Sequence, residues 1–97
     1  MISTVTKEKL AKYFDITGRA LKKAKINEEC ALEGAKDFAI DFLDMATRYF
    51  EDAKHFEKKG EIVTAFAALN YAHGWLDAGA RLGLFDVDHD SELFTVD

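Results

Sequence analysis

A chain of 97 residues, 48% hydrophobic and 32% charged, has the bulk of one ordinary globular domain, and that composition excludes disorder throughout. Residues 1–10 hold no apolar signal core, and no run of about 18 apolar residues exists, so a membrane span is not expected and a cytoplasmic location is the default. The net charge of −5 is divided unevenly: +5 over residues 1–27, −4 over 28–60, −1 over 61–83 and −5 over 84–97.

The chain has no proline, which suits long helices. The spacing predicts a first helix over 4–25, with Leu10, Tyr13, Phe14, Thr17, Ala20, Leu21 and Ala24 on one arc. Lys9, Lys12, Arg19 and Lys23 fall on the opposite side and form a basic stripe. Asn27, followed by Glu28 and Glu29, reads as a helix N-cap with acids in the first turn, so a second helix is expected over 28–59. Gly34 is a weak point near its start. Leu32, Ala35, Ala39, Phe42, Ala46, Tyr49, Ala53 and Phe56 recur at alternating steps of three and four, a coiled-coil-like seam.

Lys58-Lys59-Gly60 is a strong stop: two cations near a helix C-terminus, then a glycine able to take the left-handed conformation. A third helix is expected over 61–82, and the short link makes it antiparallel to the second. It is apolar nearly all round. Ile62, Phe66, Leu69, His73, Leu76 and Ala80 line one face, and Thr64, Ala67, Ala68, Tyr71, Trp75, Ala78 and Leu82 the other. Only a wedge with Asn70, Asp77 and Arg81 suits water. Helix 2 can cover one face; helix 1 or a second subunit must cover much of the other. The tail, residues 84–97, has no helical period and is acidic. It reads either as a short extended arm that docks through Leu93, Phe94 and Val96 or as a disordered segment; docking is favoured, because three free apolar groups would be exposed.

Several residues invite a chemical reading. Asp52-x-x-His55 and His73-x-x-x-Asp77 suggest a metal site between facing helices. Folding about Gly60, however, sets His55 level with Ala65 and His73 level with Thr47, roughly 12 Å apart along the axis. No metal and no other cofactor is expected. His55 reads as a solvated side chain and His73 as a hydrogen-bonded core histidine, with Asp77 and Arg81 as an i,i+4 ion pair. Cys30 lacks a base beside it in the pattern and reads as a small, partly buried side chain. Glycine-rich phosphate loops, nucleophile elbows and metal-spaced cysteines do not occur, so catalysis is not expected.

Two surfaces remain. Tyr71 and Trp75, with Ala78 and Leu82, are candidate interface residues, although Tyr71 and Trp75 would serve equally as core packing against helix 1. Lys9, Lys12, Arg19 and Lys23 are candidate contacts for an anionic partner such as RNA, or a docking track for the acidic tail.

The run Asn70-Tyr71-Ala72-His73-Gly74-Trp75-Leu76-Asp77-Ala78-Gly79-Ala80-Arg81-Leu82-Gly83, with Tyr49-x-x-Asp52-Ala53, Phe56, Gly60 and Ala65, resembles the archaeal helical family catalogued as domain of unknown function 357. The resemblance covers about the C-terminal half of the chain. It implies an archaeal, cytosolic, α-helical protein and no assigned activity.

The expected fold is therefore all-α: a three-helix up-down bundle dominated by a long antiparallel hairpin, with an irregular acidic tail. The expected function is a non-enzymatic protein-interaction or structural module that forms a homodimer or joins a protein partner. RNA binding along helix 1 is the alternative. An enzyme centred on His73, Asp77 and Asn70 is a third reading, and it needs a pocket beside that wedge.

Overall fold

Backbone capping sets the limits of each helix in the computed structural model, which describes residues 5–87, 90, 93 and 94. Helix α1 (Lys7–Lys23) starts where the Thr6 side chain accepts from the Lys9 N–H at 3.0 Å. Helix α2 (Ala35–Lys58) ends in a Schellman motif at Gly60, whose φ is +78°. There the Gly60 N–H donates to Glu57 and the Glu61 N–H to Phe56, both at 2.9 Å. Helix α3 (Ile62–Arg81) ends in the same motif at Gly83, φ +77°, with Gly83 N–H on Ala80 and Leu84 N–H on Gly79. The first motif reverses the chain into the hairpin; the second turns Leu84 inward, where it is buried.

The three helices pack as the expected bundle, with α3 as its centre. It lies along α2 on one side and against α1 on another, while α1 and α2 meet over a smaller area, with Phe14 edge-on to Phe50 at 5.9 Å. Ala39, Ala46 and Ala53 of α2 are fully buried at seven-residue spacing, and so are Ala65, Leu69, Ala72 and Leu76 of α3. Small side chains on both sides bring the two backbones close together. Two apolar clusters result. One is built on Leu10, Ala53, Ala65, Ala68 and Leu69; the other on Ala20, Ala46, Leu76, Leu84, Phe85 and Phe94.

The second helix is shorter than expected and begins seven residues later. Asn27 does not cap it. Its Oδ1 accepts from the Glu29 N–H at 3.1 Å, a local turn, while its Nδ2 donates to the Gly83 carbonyl at 3.0 Å and its N–H to Leu84 at 2.8 Å. Lys25–Ile26 (β1) pairs antiparallel with Phe85–Asp86 (β2), which commits this segment to extended backbone. Gly34, at φ +77°, then precedes α2 in a left-handed conformation that a continuing helix excludes. Asn27 thus staples the α1–α2 connection to the end of α3. Replacing it with alanine is expected to cost about 1–2 kcal/mol in urea unfolding, since two side-chain hydrogen bonds are lost at a half-buried site.

The tail docks. Leu93 and Phe94 are 4% and 2% exposed within the second cluster. Val96, the third expected anchor, and residue 4 lie outside the described residues; helix 1, expected over 4–25, begins only at Lys7 because Thr6 caps it, and ends at Lys23 because Lys25 enters β1.

Candidate interaction surface

Because α3 has neighbours on only two sides, a third side stays open. Tyr71 and Leu82 are more than half exposed, and Ala67, Gly74 and Ala78 are exposed beside them. On α2 the same face is continued by Phe42, Tyr49 and Phe56, all half-buried, and by Phe38, which is exposed. The Tyr71 and Tyr49 rings meet edge-on at 4.4 Å between centroids and form a ridge across the groove. A hollow of about 260 Å³ lies on one side of the ridge, floored by Phe42, Gly74, Trp75 and Ala78. A second, of about 280 Å³, lies on the other, bounded by Tyr49, Phe56, Thr64, Ala67 and Ala68. Asp52 is the one charged residue lining either hollow.

Trp75 is half-buried, and its ring packs edge-on against Phe42 of α2 at 5.0 Å, not against α1. The phenyl ring of α3 that meets α1 is Phe66, 4.9 Å from Tyr13. The four candidate interface residues, Tyr71, Trp75, Ala78 and Leu82, therefore share one side of α3. Tyr49 and Phe56 belong with them, although their sequence spacing assigns them to the α2–α3 seam. The seam is two residues wide, and its outer row opens to solvent because α1 sits on the far side of α3.

On α1, the basic stripe is largely engaged within the chain. Lys9 Nζ lies 5.4 Å from the centroid of the Phe66 ring, Arg19 pairs with Asp15 at 3.6 Å, and Lys23 meets Asp90 at 3.0 Å. Lys12 is exposed.

His73 lies between the two apolar clusters. Its Nε2 donates to the Leu93 carbonyl at 2.7 Å, which makes Nε2 the protonated ring nitrogen, and Nδ1 faces the buried Thr17 hydroxyl at 3.3 Å. Asp77 Oδ1 stands 3.7 Å from Nε2. His73 is thus a hydrogen-bonded structural histidine that ties α1, α3 and the tail together. Asn70 lines the hollow under Trp75 and contributes nothing to this cluster. His55 is exposed, beside Phe56. Among the described residues no three His, Cys, Asp or Glu side chains are grouped to hold a metal ion, and no helix is long and apolar enough to cross a membrane.

A family described as "Protein of unknown function (DUF357)" matches residues 12–85, from the first half of α1 to the first residue of β2. The chain belongs to the DUF357 family. No curated protein and no solved structure matches it. The match takes in all of α2, α3 and both glycine caps, and so the open α2–α3 face. It stops before Asp90, Leu93 and Phe94. The DUF357 description carries no activity.

Proposed function

We propose that this chain is a non-enzymatic interaction module that self-associates through the open α2–α3 face. The observation that carries the proposal is the Tyr71–Tyr49 ridge standing between two apolar hollows of similar volume. Such a face is self-complementary: a two-fold axis lets the ridge of each copy enter a hollow of the other. The face runs the length of α3, about 30 Å. Two helix widths make it about 20 Å across, giving roughly 600 Å² on each copy. A standard interface takes about 800 Å² from each partner, so association in the micromolar range is expected. A single carboxylate lining the hollows adds little repulsion. The net charge of −5 on each copy does oppose association, so added salt strengthens the dimer.

Light scattering across a concentration series tests this reading. Tyr71→Asp, at an exposed position, leaves the monomer folded and abolishes the dimer, because it removes the ring that forms the ridge and sets a second carboxylate beside Asp52 in the hollow. A wild type that stays monomeric at high concentration ends the proposal. This reading places the chain in the cytoplasm, where the half-exposed Cys30 thiol stays reduced. RNA contact along α1 draws less support, since Lys9, Arg19 and Lys23 already have partners within the chain.

A further inference from the structure

The segment that closes over α1 and α3 is held in the manner of a bound peptide. It has its own internal conformation: the Asp90 side chain accepts from the Leu93 N–H at 3.1 Å, and the Asp90 carbonyl from the Phe94 N–H at 2.9 Å. These bonds close a short turn with Asp90 as its cap. The turn then meets the bundle at three kinds of contact. Asp90 Oδ2 pairs with Lys23 Nζ on α1 at 3.0 Å. The Leu93 carbonyl accepts from His73 Nε2 on α3 at 2.7 Å, with the ring held from behind by Thr17. Leu93 and Phe94 fill an apolar cleft shared with Ala20 and Leu76, and the Phe94 ring lies 6.4 Å from that of His73. One cation, one directed donor and one apolar cleft are a recognition set for a short acidic peptide with two adjacent hydrophobic residues. The groove residues Thr17, Ala20, Lys23, His73 and Leu76 all fall inside the family match at 12–85, while Asp90, Leu93 and Phe94 fall outside it. The groove lies within the matched domain, and the segment seated in it lies beyond the match.

We infer that the groove between α1 and α3 is a peptide-recognition site for acidic segments of the pattern Asp-x-x-Leu-Phe, and that residues 90–94 of this chain are its ligand in cis. A segment of the same pattern on another protein competes for the groove when the arm opens. The site lies apart from the α2–α3 face, so it does not depend on self-association.

The test uses the full chain and a fluorescent peptide with the sequence of residues 87–97, followed by anisotropy. The wild type binds the peptide at least tenfold more weakly than a Leu93→Ala, Phe94→Ala double variant, because the tethered arm competes at a high effective concentration. A peptide with Asp90→Asn loses about tenfold in affinity for the double variant, and one with Phe94→Ala loses binding altogether. Tyr71→Asp in the protein changes none of this. A double variant with wild-type helical circular dichroism that fails to bind, or that binds the Phe94→Ala peptide equally, overturns the inference. Should the double variant not fold, hydrogen exchange on the wild type decides. Leu93 and Phe94 amides that exchange at least tenfold faster than those of Leu69 and Leu76 support a detachable arm. Equal protection makes the arm inseparable from the core and overturns it.

Discussion

Replacing Gly79 with alanine is expected to destabilise the fold by about 2 kcal/mol, although the same change in a helix interior normally stabilises by about 1 kcal/mol. Gly79 lies in the last turns of α3, fully buried, with the Phe85 ring of β2 laid across it. A Cβ there would stand 2.6 Å from Phe85 Cδ2 and 2.9 Å from Cζ. No real Cβ tolerates that, so one of the two must move. Phe85 is only 4% exposed and sits in the cluster that also holds Leu84, Val87 and Phe94, so its ring has little room to retreat. Overpacking of this kind costs about 1–3 kcal/mol and here outweighs the gain in helix propensity. Gly74, five residues earlier in the same helix, is the control. Nothing lies within 4 Å of a Cβ placed there, and alanine is expected to stabilise by about 0.5–1 kcal/mol. Urea unfolding of the two variants at one protein concentration should give opposite signs. Equal signs would mean that the Phe85 contact does not limit the position.

A larger loss is expected from truncating the two leucines at the centre of α3. Leu69 and Leu76 are both 0% exposed, one in each apolar cluster. Leu69→Ala and Leu76→Ala should each cost about 3–4 kcal/mol, from lost transfer energy and from the cavity left behind. In a domain of this size that lowers the melting temperature by about 15–25 °C. The two differ in what else they release. Leu76 shares its cluster with Leu93 and Phe94, whereas Leu69 packs with Leu10, Ala53 and Ala65. Leu76→Ala should therefore also speed proteolysis after Val87 in the native state, and Leu69→Ala should not. Matching proteolysis in both variants would show that the arm responds to global stability alone.

The candidate surface was partly legible in the sequence. Tyr71, Trp75, Ala78 and Leu82 are separated by intervals of three and four, so their common side of α3 follows from helical period alone. Which neighbour covers that side does not follow. Trp75 could meet α1 by pattern, yet it packs on Phe42, because α1 approaches α3 through Tyr13 on Phe66 and Thr17 on His73. Tyr49 and Phe56 carry the same apolar signal as any seam residue, and only the placement of α1 leaves them facing solvent. The basic stripe shows the converse: its spacing on α1 was plain, but the pairing of Lys23 with Asp90 required the tail to return.

The helical hairpin about Gly60 is decided by the sequence itself. Its ends are local events: a Schellman motif closes through bonds among residues 56–61, and a left-handed glycine is all it needs. The apolar stripes of α1, α2 and α3 are equally local, being matters of period. The start of α2 is not. Asn27 makes a local turn in either case, and a helix would have been free to follow it. The pairing of β1 with β2, 59 residues apart at Ile26 and Phe85 by way of a whole bundle, takes that segment out of helical conformation. The docked arm and the partners of His73 were settled in the same way, by contacts between segments distant in sequence. Propensity and capping act over a few residues, and where two outcomes are locally close in energy, long-range packing chooses between them.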